Sequence, residues 1–305
     1  MKKLLVLIVS LTLMLLSACS LEPPGWAKPA EKKNLKDVKI GLSVSTLNNP
    51  FFVDLKNGVI KEAKALGMQV KVVDAQNDSA KQVSDVEDLI QQGSDILLIN
   101  PADSAAISAA VQSANNIGIP VITLDRSADK GKVKTLVASD NIKGGEMAGK
   151  YLVKKLGKNA KVAELEGVPG ASATRERGKG FHNIADKNLK VTAKQSADFD
   201  RTKGLNVMEN LIQAHPDIKA VFAHNDEMAL GAIEAINSSG KNIMVIGFDG
   251  NEDAINSIKA GKMEATVAQQ PVLIGQLAVK AGRDVLKGKN VEKMIPAPLK
   301  LVTKK

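Results

Sequence analysis

ILLINPADSAAISAAVQSANNIGIPVITLD, residues 96–125, is the stretch on which the fold turns. Ile96 to Ile99 is an unbroken apolar run that stops at Asn100, and Pro120 to Leu124 is a second one that stops at Asp125. Between them, Ala105 to Ile117 spaces its apolar residues at i, i+3 and i+4, the period of a helix. A strand with no polar face must be covered on both sides, and two such strands joined through a helix run parallel. The stretch therefore predicts one strand–helix–strand unit of a parallel sheet.

The same grammar extends in both directions. Val38 to Val44, Gln69 to Val73 and Thr135 to Ala138 read as further strands, with Val53 to Leu66 and Ala80 to Gln92 as amphipathic helices between them. A second series follows with Lys161 to Leu165, Val191 to Lys194, Ala220 to Ala223, Ile243 to Ile246 and Ala265 to Ala268. The two series also match in detail: the runs ending at Ile99 and Ala223 are both followed by Asn a residue or two later and then a helix-like segment, and those of 120–124 and 244–248 both end in Asp. The expected fold class is α/β, two doubly wound parallel-sheet lobes of similar size facing each other across a cleft.

Composition agrees with an ordinary globular chain of two domain-sized cores: 305 residues, 44% hydrophobic and 25% charged. The formal charge of +9 is spread along the chain. Lys-rich spots such as Lys154-Lys155 and Lys287-Gly288-Lys289 read as helix ends and turns, and no Arg and aromatic clustering points to a nucleic-acid face.

The first residues read as an address. Lys2 and Lys3 precede an apolar run from Leu4 to Leu16, shorter than the roughly 20 residues that span a bilayer, and a small-residue cleavage site follows. Residues 1–18 are expected to be a signal peptide. Leu16-Ser17-Ala18-Cys19 resembles the bacterial lipobox, so Cys19, the single cysteine, is expected to be lipidated and to anchor the chain to a membrane. Residues 19–37, with Pro23-Pro24-Gly25, Trp26 and Pro29, read as a tether.

Ligands of open parallel sheets bind beyond the carboxyl ends of the strands. The sequence places there Asn48, Asn49, Phe51 and Phe52, then Asn100, Asp125 and Arg126, Arg175 and Arg177, Phe199, Asn225 and Asp226, Phe248 and Asp249, and Gln269 and Gln270. Four of the six phenylalanines fall in this set. Flat rings suit the C–H faces of a sugar, and Asp, Asn, Gln and Arg suit its hydroxyls, each of which both donates and accepts. Other readings stay open: Asn100, Asp140 and Asp226 are also suited to capping helices, and Phe248 to packing a lobe interior. Phe181 and Phe222 are assigned to cores.

Other chemistries lack their residues. Neither glycine-rich phosphate fingerprint occurs, and Gly170-Ala171-Ser172-Ala173-Thr174 lacks the last glycine of a nucleophile elbow. His182, His215 and His224 share no metal-ligand spacing. No catalytic site, metal or cofactor is expected, and the chain reads as a receptor, not an enzyme.

Several of these motifs are long enough to carry a family resemblance: Ser45-Thr46-Leu47-Asn48-Asn49-Pro50-Phe51-Phe52, Val121-Ile122-Thr123-Leu124-Asp125-Arg126, Arg175-Glu176-Arg177-Gly178, Ala197-Asp198-Phe199-Asp200, His224-Asn225-Asp226-Glu227-Met228-Ala229-Leu230-Gly231 and Gly247-Phe248-Asp249-Gly250. From about Lys39 onward the chain resembles the D-ribose-binding receptors of bacterial ABC importers, within the type I periplasmic binding protein family. The resemblance implies that Phe51, Phe52 and Phe199 sandwich a ribopyranose ring with Phe248 nearby. It implies that Asn49, Asp125, Arg126, Arg177, Asn225, Asp249 and Gln269 bond its hydroxyls, with Asn100 in support.

The resemblance further implies three chain crossings, near Ser139-Asp140, Gln269-Gln270 and Pro298-Leu299, which act as a hinge. The lobes would then be residues 38–139 with 270–298, and residues 140–269 with 299–305. The implied partners are D-ribose, the membrane subunits of an ABC permease and a chemotaxis receptor, for a monomer outside the cytoplasm that binds no nucleic acid. Allose or a furanosyl signal of the autoinducer-2 type is the alternative ligand. A sugar-responsive repressor core is the remote alternative, and it would need a helix-turn-helix where this chain has a leader and tether.

Overall fold

The computed structural model describes residues 34–304. A 3-10 turn, Leu35–Asp37, opens them: Asn34 Oδ1 accepts from the Lys36 amide, and Leu35 packs against the core of the first lobe. The sequence reading gives these residues to the tether. The structure gives them to the folded body, because Leu35 is apolar and finds a surface to cover. The leader, Cys19 and Trp26 lie outside the described residues.

Twelve strands and nine α-helices follow among the described residues. The first sheet takes β1 (Lys39–Val44), β2 (Gln69–Asp74), β3 (Ile96–Ile99), β4 (Val121–Leu124) and β5 (Leu136–Ser139), with α1 (Pro50–Leu66), α2 (Ser79–Gln91) and α3 (Ser108–Asn116) between strands. The chain then passes through α4 (Asn141–Leu156) into β6 (Lys161–Glu166), α5 (Ser172–Asn188), β7 (Lys190–Ser196), α6 (Arg201–Ala214), β8 (Ala220–Ala223), α7 (Asp226–Ser239), β9 (Met244–Asp249), α8 (Glu252–Lys259) and β10 (Ala265–Ala268). It returns through α9 (Pro271–Leu286) to β11 (Met294–Ala297) and ends on β12 (Lys300–Thr303).

Each sheet has six strands, in the orders β11-β5-β4-β3-β1-β2 and β12-β10-β9-β8-β6-β7. All neighbours are parallel except β12, which runs antiparallel to β10. The first five strands of each sheet share one winding, so the repeat seen in the sequence is a repeat of topology. In both, the strand order reverses beside the first strand, which opens a crevice at the carboxyl ends. The strands β11 and β12 escape the periodicity reading, being four residues each and lying at sheet edges; β11 also carries Pro296, which an edge tolerates because one side of its backbone needs no ladder partner.

The apolar run that opened the argument explains the layering. Ile96 and Leu98 of β3 point into one core with Leu42, Leu55 and Ile274, while Leu97 and Ile99 point into the other with Val86, Ile107 and Val111. The second sheet is likewise covered on both faces; Phe181 and Phe222 meet in one of its cores with ring centroids 4.9 Å apart, as expected for core residues.

Three helix pairs, α1 with α9, α4 with α5, and α6 with α7, approach backbone to backbone through reciprocal glycines. A Cβ at Gly58 would collide with the Val272 carbonyl and one at Gly275 with that of Leu55. Gly145 and Gly180 do the same against Arg177 and Ile142, and Gly231 against Arg201, while Gly204 lies against Met228. These contacts are about space, and one of them carries a side chain of the expected ligand set: Gly145 rests on the carbonyl of Arg177. Gly145→Ala is expected to cost about 1–3 kcal/mol of stability by forcing the helices apart, measured by denaturant unfolding; an unchanged midpoint would refute the close packing.

One buried polar cluster stands out in the second lobe. Glu164 of β6 is fully buried and bridges His224 Nε2 and His182 Nε2, each at 2.8 Å. Burial pushes its carboxyl up, but the bonds from His182 and His224 win and hold it down at about 2. His182 is carried up to about 9, chiefly by Glu164 and then by Asp186. The stabilisation from His182 is complete below its ordinary value of 6.5 and is lost as pH rises through 9, whereas that from Glu164 is complete above 4.5 and is lost as pH falls through 2. Between pH 6.5 and 9 the wild type should therefore lose about 1 kcal/mol more than His182→Gln, a difference that thermal melts at a series of pH values will read.

Candidate ligand-binding site

The carboxyl ends of both sheets face one hollow. Its wall is made by Asn49, Phe51, Phe52, Asp125, Arg126, Ala173, Arg177, Phe199, Asn225 and Asp249. All of these except Ala173 belong to the set that the sequence places beyond the strand ends. Small residues carry no such signal; Ala173 lines the wall because the first turn of α5 passes close to it.

Local structure fixes each side chain. Asn49 caps α1 by accepting from the Phe51 amide at 2.9 Å, so the helix starts in register and throws Phe51 and Phe52 inward, their rings edge to face at 5.2 Å. Asp125 follows β4 in the left-handed region (φ 62°), as do Asp198 (φ 52°) and Phe199 (φ 60°) after β7. Asp249, the last residue of β9, has φ 128°. Such conformations are costly for residues with a Cβ and persist where the surroundings over-determine them, commonly at binding sites. Asn225 does two jobs: Oδ1 caps α7 through the Met228 amide, and Nδ2 donates to the Phe199 carbonyl, holding that strained residue in place. Behind the Phe199 ring there is room only for Gly167, whose Cβ would strike it.

The charges are arranged as an alternating set. Asp125, Arg126, Arg177 and Asp249 are each 3–5% exposed. Arg126 lies with its guanidinium carbon 5.0 Å from the Phe52 ring centre and 5.1 Å from that of Phe199, a cation between two π faces that come from different lobes. It donates to the Pro101 carbonyl at 3.0 Å and stands 3.5 Å from Asp125 Oδ2. Burial lowers its pKa to about 10, which leaves it charged at neutral pH. Arg177 sits 3.9 Å above the Phe248 ring and 3.7 Å from Asp249 Oδ1. Burial raises the carboxyls of Asp125 and Asp249, with the arginines pulling the other way.

Three residues of the expected set stand behind the wall. Phe248 is fully buried in a core and bears Arg177 on its face, so the packing alternative describes it. Asn100 ties β1 to β4, accepting from the Ser45 amide and donating to the Leu124 carbonyl, both at 3.1 Å. Gln269 donates to Asp249 Oδ1 at 2.8 Å and borders a separate crevice with Gln270. Of the residues open to a capping reading, Asp140 does cap α4 through the Lys143 amide, and Asn100 caps nothing. Asp226 braces the loop after Asp249 by accepting from the Gly250 and Asn251 amides. Arg175 lies on the rim, where it reaches Asp129 of the other lobe at 3.1 Å. Sequence reasoning passes over Asn141 and the His224 carbonyl, which grip Arg177 from behind at 2.9 and 2.6 Å.

Buried polar atoms are nearly always hydrogen-bonded, and each orphan costs about 1–3 kcal/mol. Asp125 Oδ1 and Arg126 Nε, which line the hollow, and Gln269 Oε1 behind it are buried without a hydrogen-bond partner in the protein. An acceptor on Asp125 and a donor on Arg126 beside aromatic faces match a small polyhydroxylated ring. Among the described residues no group of three or more His, Cys, Asp or Glu could hold a metal ion.

Comparison with known proteins agrees with this geometry. The family described as "Periplasmic binding protein domain" matches residues 40–290. The chain is 72% identical over 305 residues, all of both chains, to the ribose import binding protein RbsB of Bacillus subtilis, and 55% identical to that of Escherichia coli over 87% of this chain and 90% of its own. A solved ABC-transporter periplasmic solute-binding protein from Actinobacillus succinogenes, with bound D-allose, superposes with a TM-score of 0.81 at 31% identity, covering 88% of this chain and 98% of its own. Two equally wound lobes, a hollow between their strand ends and relatives matched from end to end all lead to one assignment: the chain belongs to the type I periplasmic binding protein family.

Proposed function

We propose that this chain is the D-ribose-binding component of an ABC importer, a receptor outside the cytoplasm rather than an enzyme. The observation that carries the reading is its 72% identity, over the full length of both chains, to a ribose import binding protein. The site supports it: flat rings from Phe51, Phe52 and Phe199 offer faces to the sugar's C–H surfaces, while Asn49, Asp125, Arg126, Arg177, Asn225 and Asp249 offer donors and acceptors to its hydroxyls. Hydrogen bonds to charged groups in a water-excluded site contribute about 1.5–3 kcal/mol each, so few are needed for tight capture.

The two lobes, residues 38–139 with 270–298 and residues 140–269 with 299–305, turn about the three connections at Ser139-Asp140, Gln269-Gln270 and Pro298-Leu299. In support, the chain leaves the first sheet after β5, returns after β10 and departs again between β11 and β12. Closing brings Phe199 against Arg126 and creates a surface shared by both lobes, which the permease reads as the sign of a loaded receptor. A lipidated Cys19 holds the monomer at the membrane, and the same closed surface serves a chemotaxis receptor.

Titration calorimetry with ribose tests the assignment directly. Arg177→Ala and Asp125→Ala should each weaken binding at least about tenfold, or 1.4 kcal/mol, while Lys289→Ala on the surface should leave it unchanged. Absence of any ribose heat from the wild type would sink the ligand assignment, and competition with allose would then identify the alternative. Because burial raises Asp125 and Asp249, their carboxylates take up protons above the ordinary value of 3.8, and the strong charged acceptors are lost. Ribose affinity should accordingly fall as pH is lowered toward that value, more steeply in the wild type than in Asp125→Asn.

A further inference from the structure

We propose that Asn141 is a positioning residue for ribose capture: it sets Arg177 in its ligand-gripping orientation before the sugar arrives and links that grip to the first connection between the lobes. The inference rests on the ribose reading above. Arg177 has five N–H donors in a rigid fork. Nε donates to Asn141 Oδ1 at 2.9 Å and Nη1 to the His224 carbonyl at 2.6 Å. Among the described residues no hydrogen bond takes Nη2, and Arg177 lines the hollow. Bonds from Nε and from Nη1, which lie on opposite sides of the guanidinium, thus fix its plane and leave Nη2 for the ligand.

The amide is suited to this place in a way that neither a carboxylate nor an apolar group is. Asn141 Nδ2 donates to Glu176 Oε2 at 3.0 Å. A guanidinium can only donate and a carboxylate can only accept, so the amide's orientation is dictated by its neighbours and not by convention. Asn141 is 2% exposed, and it is the first residue of α4, immediately after Asp140, where the chain has just left the first sheet. Its own partners, Arg177 and Glu176 on α5, belong with the second sheet, as does His224 after β8. The grip is therefore made inside one lobe and needs no closure to form. Pre-set side chains forgo the ordering cost that a mobile one adds to binding.

Three variants and one spectrum test it. Asn141→Leu keeps the branched outline and removes both bonds; ribose affinity should weaken about tenfold. Asn141→Asp combined with Glu176→Gln restores the acceptor for Arg177 without setting two carboxylates against each other, and should bind within about threefold of wild type, a rescue that loss of packing alone would not give. Asn141→Ala carries the same test as the leucine variant if that one does not fold. In ribose-free wild type, the Arg177 Nε–H resonance should exchange slowly with solvent, whatever the variants do. Wild-type affinity retained in the leucine or alanine variant, no rescue by aspartate, or fast exchange of that proton would each overturn the proposal. Failure of the wild type to bind ribose would instead count against the ligand reading.

Discussion

Arg126 and Arg177 lie almost wholly out of water, and that burden organises what surrounds them. A buried cation needs an opposite charge, acceptors for its N–H groups, or a polarisable face. Arg126 has all three in Asp125, the Pro101 carbonyl and the Phe52 and Phe199 rings; Arg177 has Asp249, Asn141 with the His224 carbonyl, and Phe248. These partners come from the ends of five strands and the starts of two helices. Only a fold that converges many strand ends on one point can supply them, which is how the parallel winding of each sheet becomes a property of the site.

Compensation is incomplete in a telling way. Asp125 Oδ1, Arg126 Nε and Gln269 Oε1 are out of water and have no hydrogen-bond partner in the protein. Single atoms of Ser45, Ser139, Thr174 and His224 share that state, but only Asp125 and Arg126 among these residues line the hollow. An acceptor and a donor are thus left unmet where a ligand can reach them. A sugar hydroxyl, being both, can meet either kind.

Much of this was legible in the sequence because parallel strands buried on both faces have no polar positions to blur the pattern: β3, β8 and β10 fall where the apolar runs lie. Edge strands obey weaker rules, and β11 with its Pro296 and β12 with Lys300 and Thr303 do not announce themselves. Aromatic residues and arginines at strand ends were visible as a set, since a chain with so few phenylalanines has little reason to group them there. Depth was not visible. Whether a ring such as Phe248 faces the hollow or supports a side chain that does depends on a rotation of one residue along β9, and no spacing encodes it. The carbonyl of His224 was hidden for a simpler reason, that every residue has one.

The order in which the strands follow each other along the chain bears on how such a receptor comes into being. The first sheet acquires its sixth strand only at Met294–Ala297, and the second only at Lys300–Thr303. A ribosome working from the amino end thus releases nearly the whole polypeptide before either half can seal its border.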